Sequence, residues 1–545
     1  MNNNMKKNYI IIAVAGLAMM SATSCESGFL DETPKSSYTA STLTDTKGMN
    51  ALVLGMYYDF SLIYSYSNNQ GYPCAFQVGT DVCDPGQYQG IEVPMYQYQK
   101  LTADASAPQV YWQQLYTIVN AANVIISNVD GGVSSATADK NSLYKAEASF
   151  MRAWCYDQLA VFYGGVPLTL EPVSSAKTDY TRASLNDVNN QILTDLTFAV
   201  SNLPDPDAVE NGSRVNKYSA YQLLAEVYIR TGAYQKAVDA CNSIINSGKF
   251  SLNAVKRSSL SYSDYYHDMF VQGYMRRSEG NKETIWNYES ENNNSVTGGQ
   301  SGSFQQRRCW VAAYYQYSTK GLNLCDSLGG RGLARMRLSS YMRNLYKIPG
   351  DIRNSQANIH RDFYVDGVKF VGTDAVNDSI YKVPAYCTKW NCFDPNDTFG
   401  YSAVHDVPMM RFGEVYLLLA EAYLDLNNTS AAAAAINVLR TRAFGSSSLG
   451  QVSASDINLD FILDERAREL IGEENRRYTL MRTGQLKERA LMNKDFIAAG
   501  NAKSNTQLEA TYAISGTANI QNLWPIPQTE IDLNKDAILE QNPGY

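Results

Sequence analysis

The residues that could support catalysis in this chain are few and lie far apart. Only three histidines occur, His267, His360 and His405, and their spacing does not predict a metal or nucleophile site. The chain has no G-x-S-x-G and no H-E-x-x-H motif. Gly248-Lys249 is followed by Phe250, which excludes a phosphate-binding loop at that position. Nothing in these residues predicts a cofactor.

A group of acidic residues near the end of the chain suggests glycoside hydrolysis, because glycosidases work with a pair of carboxyl groups. The group consists of Asp464, Glu465, Glu469, Glu473 and Glu474. Beside it, Leu463, Ala467, Leu470 and Ile471 have the spacing of an apolar helix stripe. Glu465 and Arg468 are then one turn apart, as in an ordinary ion pair on a helix surface. We therefore interpret the acidic residues as structural and predict that the protein is not an enzyme.

Two further patterns concern metals and disulfides. Asp394, Asn396 and Asp397 resemble the start of a calcium loop, but Gly400 is displaced from the position that an EF-hand turn requires, so we predict no metal. Cys74 with Cys83, and Cys387 with Cys392, could pair in an oxidising compartment. Their connectivity cannot be deduced from sequence. Cys155 and Cys241 lie in helix-like segments and are predicted to be packed thiols.

Aromatic side chains next to amides and arginines provide a binding chemistry. An aromatic ring offers an apolar, weakly negative face that matches the C–H face of a sugar, and Asn, Gln, Asp or Arg can bond to the hydroxyls. The candidate ligand-binding residues are Tyr88, Tyr96, Tyr98, Arg308, Trp310, Tyr314 and Tyr315, with Trp310 the best single candidate. The alternative for each tyrosine is that it packs its own loop. The tryptophans assigned to structure are Trp112, Trp286, Trp390 and Trp524.

The elements that would position these residues are mostly helical. Apolar residues recur at helical spacing from Met49 to Phe60 and from Leu115 to Val129, and a third helix is predicted over 143–163, ended by Gly164-Gly165. The sequence LLAEVYI at 223–229 returns as LLAEAYL at 418–424, each time followed by a short break and a second helix. A helical hairpin of about 34 residues is the tetratricopeptide pattern, in which units stack on their neighbours.

The chain thus alternates a helical scaffold with two irregular segments. The scaffold is predicted over about 45–63, 109–248 and 407–490. Residues 64–108, the first insertion, and residues 250–406, the second insertion, are rich in Tyr, Asn, Gly and Ser and poor in helical periodicity. The tract 291–303 is predicted to be a loop. Because loops on a rigid scaffold usually carry binding function, we expect the ligand to contact the insertions.

The first residues have the features of an export signal. Lys6 and Lys7 precede a short apolar run, and small residues lead directly to Cys25, as in a bacterial lipobox. The apolar run is too short to cross a bilayer, which needs about 20 residues. We predict a signal peptide at 1–24 and lipid on Cys25. The alternative is an ordinary signal peptide with a cysteine near its cut site. The formal net charge of −8, without basic runs, argues against nucleic acid as a partner.

Five segments, in order along the chain, resemble the SusD/RagB family of nutrient-binding lipoproteins. They are Phe29-Leu30-Asp31 with Pro34, residues 147–168 ending in YGGVPL, RFGEVYLLLAEAY at 411–423, DERARELIGEENRRYTLMRTG at 464–484, and the close LWPIPQTEIDLNKDAILEQNPGY. Tyr478-Thr479-Leu480 and Phe412-Gly413 depart from the family pattern at structural positions. The resemblance implies a single domain over 25–545, mostly α, with tetratricopeptide-like hairpins packed against a loop-rich half with a few short strands.

The resemblance also implies a function. Members of this family capture a glycan at the cell outer membrane and deliver it to a TonB-dependent SusC-like transporter. Some members bind peptides instead, and for this acidic chain basic peptides would be favoured. A surface glycoside hydrolase that uses the acidic group is the third hypothesis. The family's ligand-binding aromatics lie in stretches that correspond to the two insertions.

Overall fold

The computed structural model describes residues 43–65, 71–88, 90–133, 136–291, 304–374, 378–396, 398–399, 404–445, 448–493 and 514–545. Contacts divide the chain after Leu43, and all the elements below belong to the unit Thr44–Tyr545. The predicted signal peptide, Cys25 and nearly all of the 291–303 loop lie outside the described residues. Those expectations therefore stay predictions.

Helices form most of the described chain, as predicted, and the fold class is confirmed. The first six are α1 Thr46–Ser65, α2 Ser106–Asp130, α3 Ala138–Tyr163, α4 Leu185–Asn202, α5 Lys217–Arg230 and α6 Tyr234–Ile245. The others are α7 Gln306–Trp310, α8 Ser340–Arg343, α9 Phe412–Asp425, α10 Thr429–Phe444, α11 Leu459–Leu470, α12 Arg476–Arg482, α13 Leu486–Leu491 and α14 Gln528–Leu533.

The long helices begin and end where the sequence provides caps. The Asn216 side chain accepts a hydrogen bond from the backbone N–H of Ser219 in a capping box at the start of α5, and Asn428 caps α10 in the same way through Ala431. Helix α3 ends at Gly164, whose φ of 80° and ψ of −136° suit glycine alone. The helix predicted over 143–163 therefore ends as expected.

The internal repeat consists of two helical hairpins that pack on each other. The first copy is α5 with α6, the second is α9 with α10, and α6 contacts α9. The glutamates at equivalent positions, Glu226 and Glu421, reach one arginine: Arg482 donates to both carboxylate oxygens of Glu421 at 2.7 and 2.9 Å, and its Nε lies 3.2 Å from Glu226. With α1 to α4 stacked in sequence beside α5, the scaffold is consistent with tetratricopeptide-like packing.

Short strands join distant parts of the chain, and all of them except the last lie in the two insertions. The strands are β1 Cys83–Pro85, β2 Thr284–Tyr288, β3 Met336–Leu338, β4 Ile359–His360, β5 Tyr364–Val365, β6 Val368–Lys369, β7 Tyr386–Cys387 and β8 Val407–Arg411. Within the described chain they pair two at a time, all antiparallel: β1 with β3, β2 with β8, β4 with β7 and β5 with β6. The remaining elements are 3-10 turns, the longest being Tyr314–Lys320, and a π-helical turn at Asp378–Lys382.

The last residues of the chain bind the turn after α3. The amide of Asn542 donates to the carbonyl of Tyr163 at 2.9 Å and to that of Trp524 at 2.8 Å, and Arg182 donates to the Asn542 amide oxygen at 2.8 Å. Trp524 is buried against Phe162 with ring centroids 4.4 Å apart. Two of the segments that carry the family resemblance, YGGVPL and QNPGY, thus meet in the fold. No described helix has the length and apolar character needed to cross a membrane.

Candidate functional site

The two insertions meet along one line, which we call the seam. Strand β1 of the first insertion pairs with β3 of the second, with Cys83 opposite Leu338 and Pro85 opposite Met336. Beyond the strands, Gly86 donates its N–H to the Arg335 carbonyl at 2.8 Å. A Cβ at Gly86 would lie 1.8 Å from the carbonyl oxygen of Ala334, so only glycine permits this approach. The seam is therefore fixed by backbone contacts.

Tyr88 lies next to the seam, and its ring is partly exposed to solvent. The residue is 44% exposed, and the neighbouring Gln87 amide donates to the Leu333 carbonyl at 2.6 Å. Lys100 donates to the Tyr88 hydroxyl at 2.8 Å, and its ammonium lies 5.2 Å from the ring centroid. Tyr88 thus has an accessible ring whose hydroxyl is held by a cation.

In the second insertion, shortly before β3, an arginine lies between two accessible aromatic rings. The Arg331 guanidinium carbon is 5.6 Å from the ring centroids of both Tyr315 and Phe399, and Arg331 donates to the Phe399 carbonyl at 2.6 Å. The two rings are 6.4 Å apart in an edge arrangement of 84°. Phe399 is 62% exposed and Tyr315 is half-buried. We call Tyr315, Arg331 and Phe399 the aromatic clamp.

The other candidate ligand residues are buried. Tyr96, Tyr98, Trp310 and Tyr314 are at most 1% exposed, and Arg308 is 8% exposed. A ring without an accessible face cannot stack on a sugar, so burial argues against ligand contact by Trp310. For Tyr96, Tyr98 and Tyr314 it favours packing of the loop, the alternative stated for the tyrosines. Tyr98, for example, donates to the Gly79 carbonyl at 2.9 Å and accepts a bond from Arg477 at 3.1 Å. The prediction of ligand contact now rests on Tyr88 and Tyr315.

Trp310 lines a pocket of about 160 Å³ where the scaffold meets both insertions. Gln222, Glu226, Gln306 and Trp390 also line this pocket. The amide oxygens of Gln222 and Gln306 are buried and accept no hydrogen bond from the described residues. Buried polar atoms that lack a protein partner are typical of sites that hold ordered water. Trp310, the best single candidate from the sequence, is therefore a core residue.

The acidic group at 464–474 has buried side chains except for the partly exposed Asp464, which corrects the interpretation of Glu465 and Arg468 as a surface pair. Glu465 is fully buried and accepts from Arg353, Arg440 and Arg468 at 2.8, 2.8 and 3.0 Å. Sequence periodicity places Glu465 and Arg468 one turn apart, as found, but it does not show that arginines from other elements converge on the same carboxylate. Glu465 and Arg468 therefore form an ion pair, but they form it in the protein interior and not at the surface.

Glu469, one turn further along α11, is held in the same way. It accepts from Arg353 at 3.1 Å, from Arg411 at 2.8 Å and from Arg442. Burial alone would raise the pKa of Glu465 and Glu469, but the guanidinium groups outweigh it and hold both pKa values well below the usual range. A carboxyl group that stays ionised and fully paired is a poor general acid. The geometry thus favours a structural role for the acidic group.

The remaining candidates for catalysis or metal binding are the histidines and the calcium-like tract. Burial lowers the pKa of His267 and of His360 to about 4. Among the described residues, no group of three or more His, Cys, Asp and Glu side chains is arranged to hold a metal ion. Of the calcium-like tract, the Asp394 carboxylate accepts from the Asn396 backbone at 2.8 Å, while Asp397 and Gly400 lie outside the described residues.

The described cysteines are all free thiols, so neither possible pairing is formed. Cys387 donates to the Ile471 carbonyl at 3.5 Å and Cys392 to the Val404 carbonyl at 3.3 Å, which directs the two sulfurs to different partners. Cys74 and Cys83 are both buried. Cys155 and Cys241 are buried within α3 and α6, as predicted.

Arg331 and Phe399 were not predicted from the sequence as ligand-binding residues. Phe399 stands in the tract NDTFG, where an aromatic residue among turn-forming residues is itself a signal of an exposed ring. Arg331 follows two glycines and has no aromatic neighbour in sequence. Only its contact with Tyr315 and Phe399 in the folded structure identifies Arg331 as a candidate ligand-binding residue.

Two family models match this chain. The model described as "SusD family" matches residues 383–545, and the model described as "Starch-binding associating with outer membrane" matches residues 28–229. The first covers the second repeat, the acidic group and the C-terminal close. The second covers the first insertion and α1 to α5. The matched regions contain all five segments that carried the resemblance.

Proteins of known name and structure resemble the chain over most of its length. "SusD-like protein P25" of Formosa agariphila is 25% identical over 504 residues, which is 88% of this chain and 91% of that protein. Surface glycan-binding protein A of Bacteroides fluxus has a TM-score of 0.68 at 22% identity, covering 92% of this chain and 100% of that one. A laminarin-binding SusD-like protein has a TM-score of 0.65 at 20% identity, with the same coverages of 92% and 100%. At these identities the two structures establish the fold alone.

Proposed function

Because this chain belongs to the SusD-like family, we propose that it binds a glycan at the seam between its two insertions and delivers it to a TonB-dependent SusC-like transporter in the outer membrane. The observation that carries the binding proposal is the aromatic clamp. Tyr315 and Phe399 present accessible rings around Arg331, and Tyr88, three residues after strand β1 of the seam, adds a third accessible ring.

The chemistry of these side chains suits a sugar. The apolar C–H face of a hexose packs against the weakly negative face of an aromatic ring and buries a large contact area. Arg331 and Lys100 supply N–H donors beside the rings, and hydroxyl oxygens accept such bonds. The similar proteins named for glycan and laminarin binding have the same fold, which supports glycan as the ligand class.

The rigid base of the site favours tight capture. Backbone pairing of β1 with β3 fixes the seam, and a buried ion pair between Glu92 and Arg335, with N–O distances of 2.5 and 3.0 Å, joins the same two segments. A preformed surface loses little conformational entropy when a ligand binds. The ligand therefore meets rings that are already in place.

The binding proposal is tested by isothermal titration against a panel of polysaccharides that includes starch and laminarin, with peptide digests in parallel. We expect a glycan to bind, and Tyr315→Ala to weaken that binding about tenfold, equivalent to about 1.4 kcal/mol. Tyr58→Ala is the matched control, because Tyr58 is 62% exposed but lies on scaffold helix α1. Equal losses in both variants, or binding of peptides alone, would refute the proposal.

Delivery depends on the lipid predicted at Cys25, which would keep the protein at the outer membrane beside its transporter. One acyl chain alone anchors only marginally, and two or more make the attachment stable. We expect a Cys25→Ala variant to bind glycan normally in solution but to support little uptake by cells. Full uptake with the lipid-free variant would contradict the delivery step and leave the binding proposal intact.

A further inference from the structure

A second groove, of about 450 Å³, lies on the scaffold away from the seam. It runs between α2, the segment 167–180 and the C-terminal helix α14. Its lining includes three aromatic side chains, Trp112, Tyr116 and Tyr180, and the polar residues Gln113, Asn120 and Glu530. None of these residues belongs to either insertion, so the groove is separate from the site proposed above.

The walls of the groove are tied together by hydrogen bonds. Tyr116 on α2 donates its hydroxyl to the Pro167 carbonyl at 2.7 Å, and the Asn120 amide oxygen accepts from the Val173 backbone at 2.8 Å. On the opposite wall, Asn534 accepts from the Tyr180 N–H at 2.7 Å and donates to its carbonyl at 2.8 Å. The groove is therefore a built feature of the fold and exists before any ligand binds.

Two polar side chains of the groove are available to a ligand. The Gln113 amide is exposed, and the half-buried Glu530 carboxylate has no ion-pair partner among the described residues. The hydrogen bonds that involve these residues use their backbone atoms, as when Thr117 donates to the Gln113 carbonyl at 2.8 Å. A carboxylate and an amide next to aromatic rings can accept and donate bonds to hydroxyl groups while the rings cover C–H faces.

We propose that this groove is a second glycan-binding site that takes a short stretch of a neutral glycan. The volume lies within the range of about 300–1,000 Å³ found for small-molecule sites. Trp112 is buried, so the rings that a ligand can reach are those of the half-buried Tyr116 and Tyr180. Sugar rings fit the combination of these two rings with an amide and a carboxylate whose side chains have no partner among the described residues. The inference rests on the proposed function, because the ligand is the same class of molecule.

Two sites on one protein change how a polymer is held. A long glycan chain that occupies the seam is present at high effective concentration near the groove, so its apparent affinity exceeds that of either site. An oligosaccharide that occupies only one site gains nothing from this effect. The groove would thus help to retain polysaccharide rather than fragments.

The test counts binding sites by calorimetry with the tightest-binding hexasaccharide from a glycan panel that includes starch and laminarin. We expect two sites in the wild type, one in the groove variant Gln113→Ala with Glu530→Ala, and one in the seam variant Tyr88→Ala with Tyr315→Ala. Glu540→Ala is the control, because Glu540 is an exposed carboxylate of the same C-terminal segment outside the groove lining. For the parent polysaccharide, the groove variant should bind at least about tenfold more weakly than wild type.

Failure of the groove inference and failure of the proposed function would give different results. One site in the wild type, lost in the seam variant and unchanged in the groove variant, would overturn this inference and leave the proposed function standing. No binding of any glycan by the wild type would overturn both. Capture of a lysine-rich peptide that the groove variant abolishes, without a second oligosaccharide site, would also overturn the inference, because the groove would then serve a peptide.

Discussion

Replacement of Glu469 by glutamine tests whether the acidic group is structural. The carboxylate is fully buried and accepts hydrogen bonds from Arg353, Arg411 and Arg442, two of them at 3.1 and 2.8 Å. The glutamine keeps the size of the side chain but removes the charge that three buried guanidinium groups face. Removal of one partner from a buried ion pair costs about 3–5 kcal/mol, because the other charge stays buried without compensation. That is a large fraction of the 5–15 kcal/mol that stabilises a typical protein.

The measurement is urea unfolding of both proteins at pH 7, followed by far-ultraviolet circular dichroism. We expect Glu469→Gln to lower the free energy of unfolding by about 3 kcal/mol or more. Asp130→Asn is the control: it removes the ion pair with Lys145 at 2.6 Å, in which the two side chains are 56% and 28% exposed, and exposed pairs contribute about 0–1 kcal/mol.

The same variant should also change the response to acid. The guanidinium groups overcome the effect of burial and hold the pKa of Glu469 below its value in the unfolded chain, which is about 4.3. The ionised carboxylate therefore contributes its stability above about pH 5, and that stability is lost as the pH falls toward the folded-state pKa. The difference between wild type and Glu469→Gln should shrink at pH 4. A loss below about 1 kcal/mol at pH 7, or glycan hydrolysis by the wild type that the variant abolishes, would refute the structural role.

Three further predictions concern side chains whose roles were assigned from burial and contacts. Trp310→Ala should lower the free energy of unfolding by about 3–5 kcal/mol, because the ring is 1% exposed; unchanged stability in thermal unfolding with lost glycan affinity would show that Trp310 contacts the ligand. Arg482→Met should cost about 3–5 kcal/mol by calorimetry, because it leaves the buried Glu421 carboxylate unpaired; Arg482→Lys should recover part of this loss. Burial raises the pKa of Glu226 to about 8, so stability should fall as the pH rises from about 5 to 8, since the folded carboxyl retains its proton while the unfolded one ionises. Glu226→Gln should show a smaller fall when unfolding is followed across the same pH range, because burial also raises the pKa of Glu92 and of Glu289 to about 7; a parallel pH profile in both proteins would contradict the assignment.

The scaffold was predictable because helix formation is largely a local property. The apolar stripes of α1, α2 and α3 recur every three to four residues, and the repeated LLAE segments show the hairpins directly in the sequence. Capping residues and glycines then mark the ends. The limits of the insertions followed from the loss of this periodicity between the helices.

The site was less predictable because exposure depends on contacts between residues far apart in sequence. Tyr96, Tyr98 and Tyr314 resemble Tyr88 and Tyr315 in their local sequence, yet the former are buried and the latter are accessible. Burial is decided by which segments cover a ring.

The sequence by itself determined the helical scaffold, its internal repeat and the family, and it predicts a lipid anchor. These follow from patterns within short stretches of chain. The tertiary structure decided that Glu465 and Glu469 belong to a buried ion-pair network, because the arginines that pair with them come from four separate elements. It also decided which aromatics face solvent, because Tyr315 and Phe399 become neighbours only when the second insertion folds back on itself. Local pattern fixes the element, and long-range packing fixes what each side chain can touch.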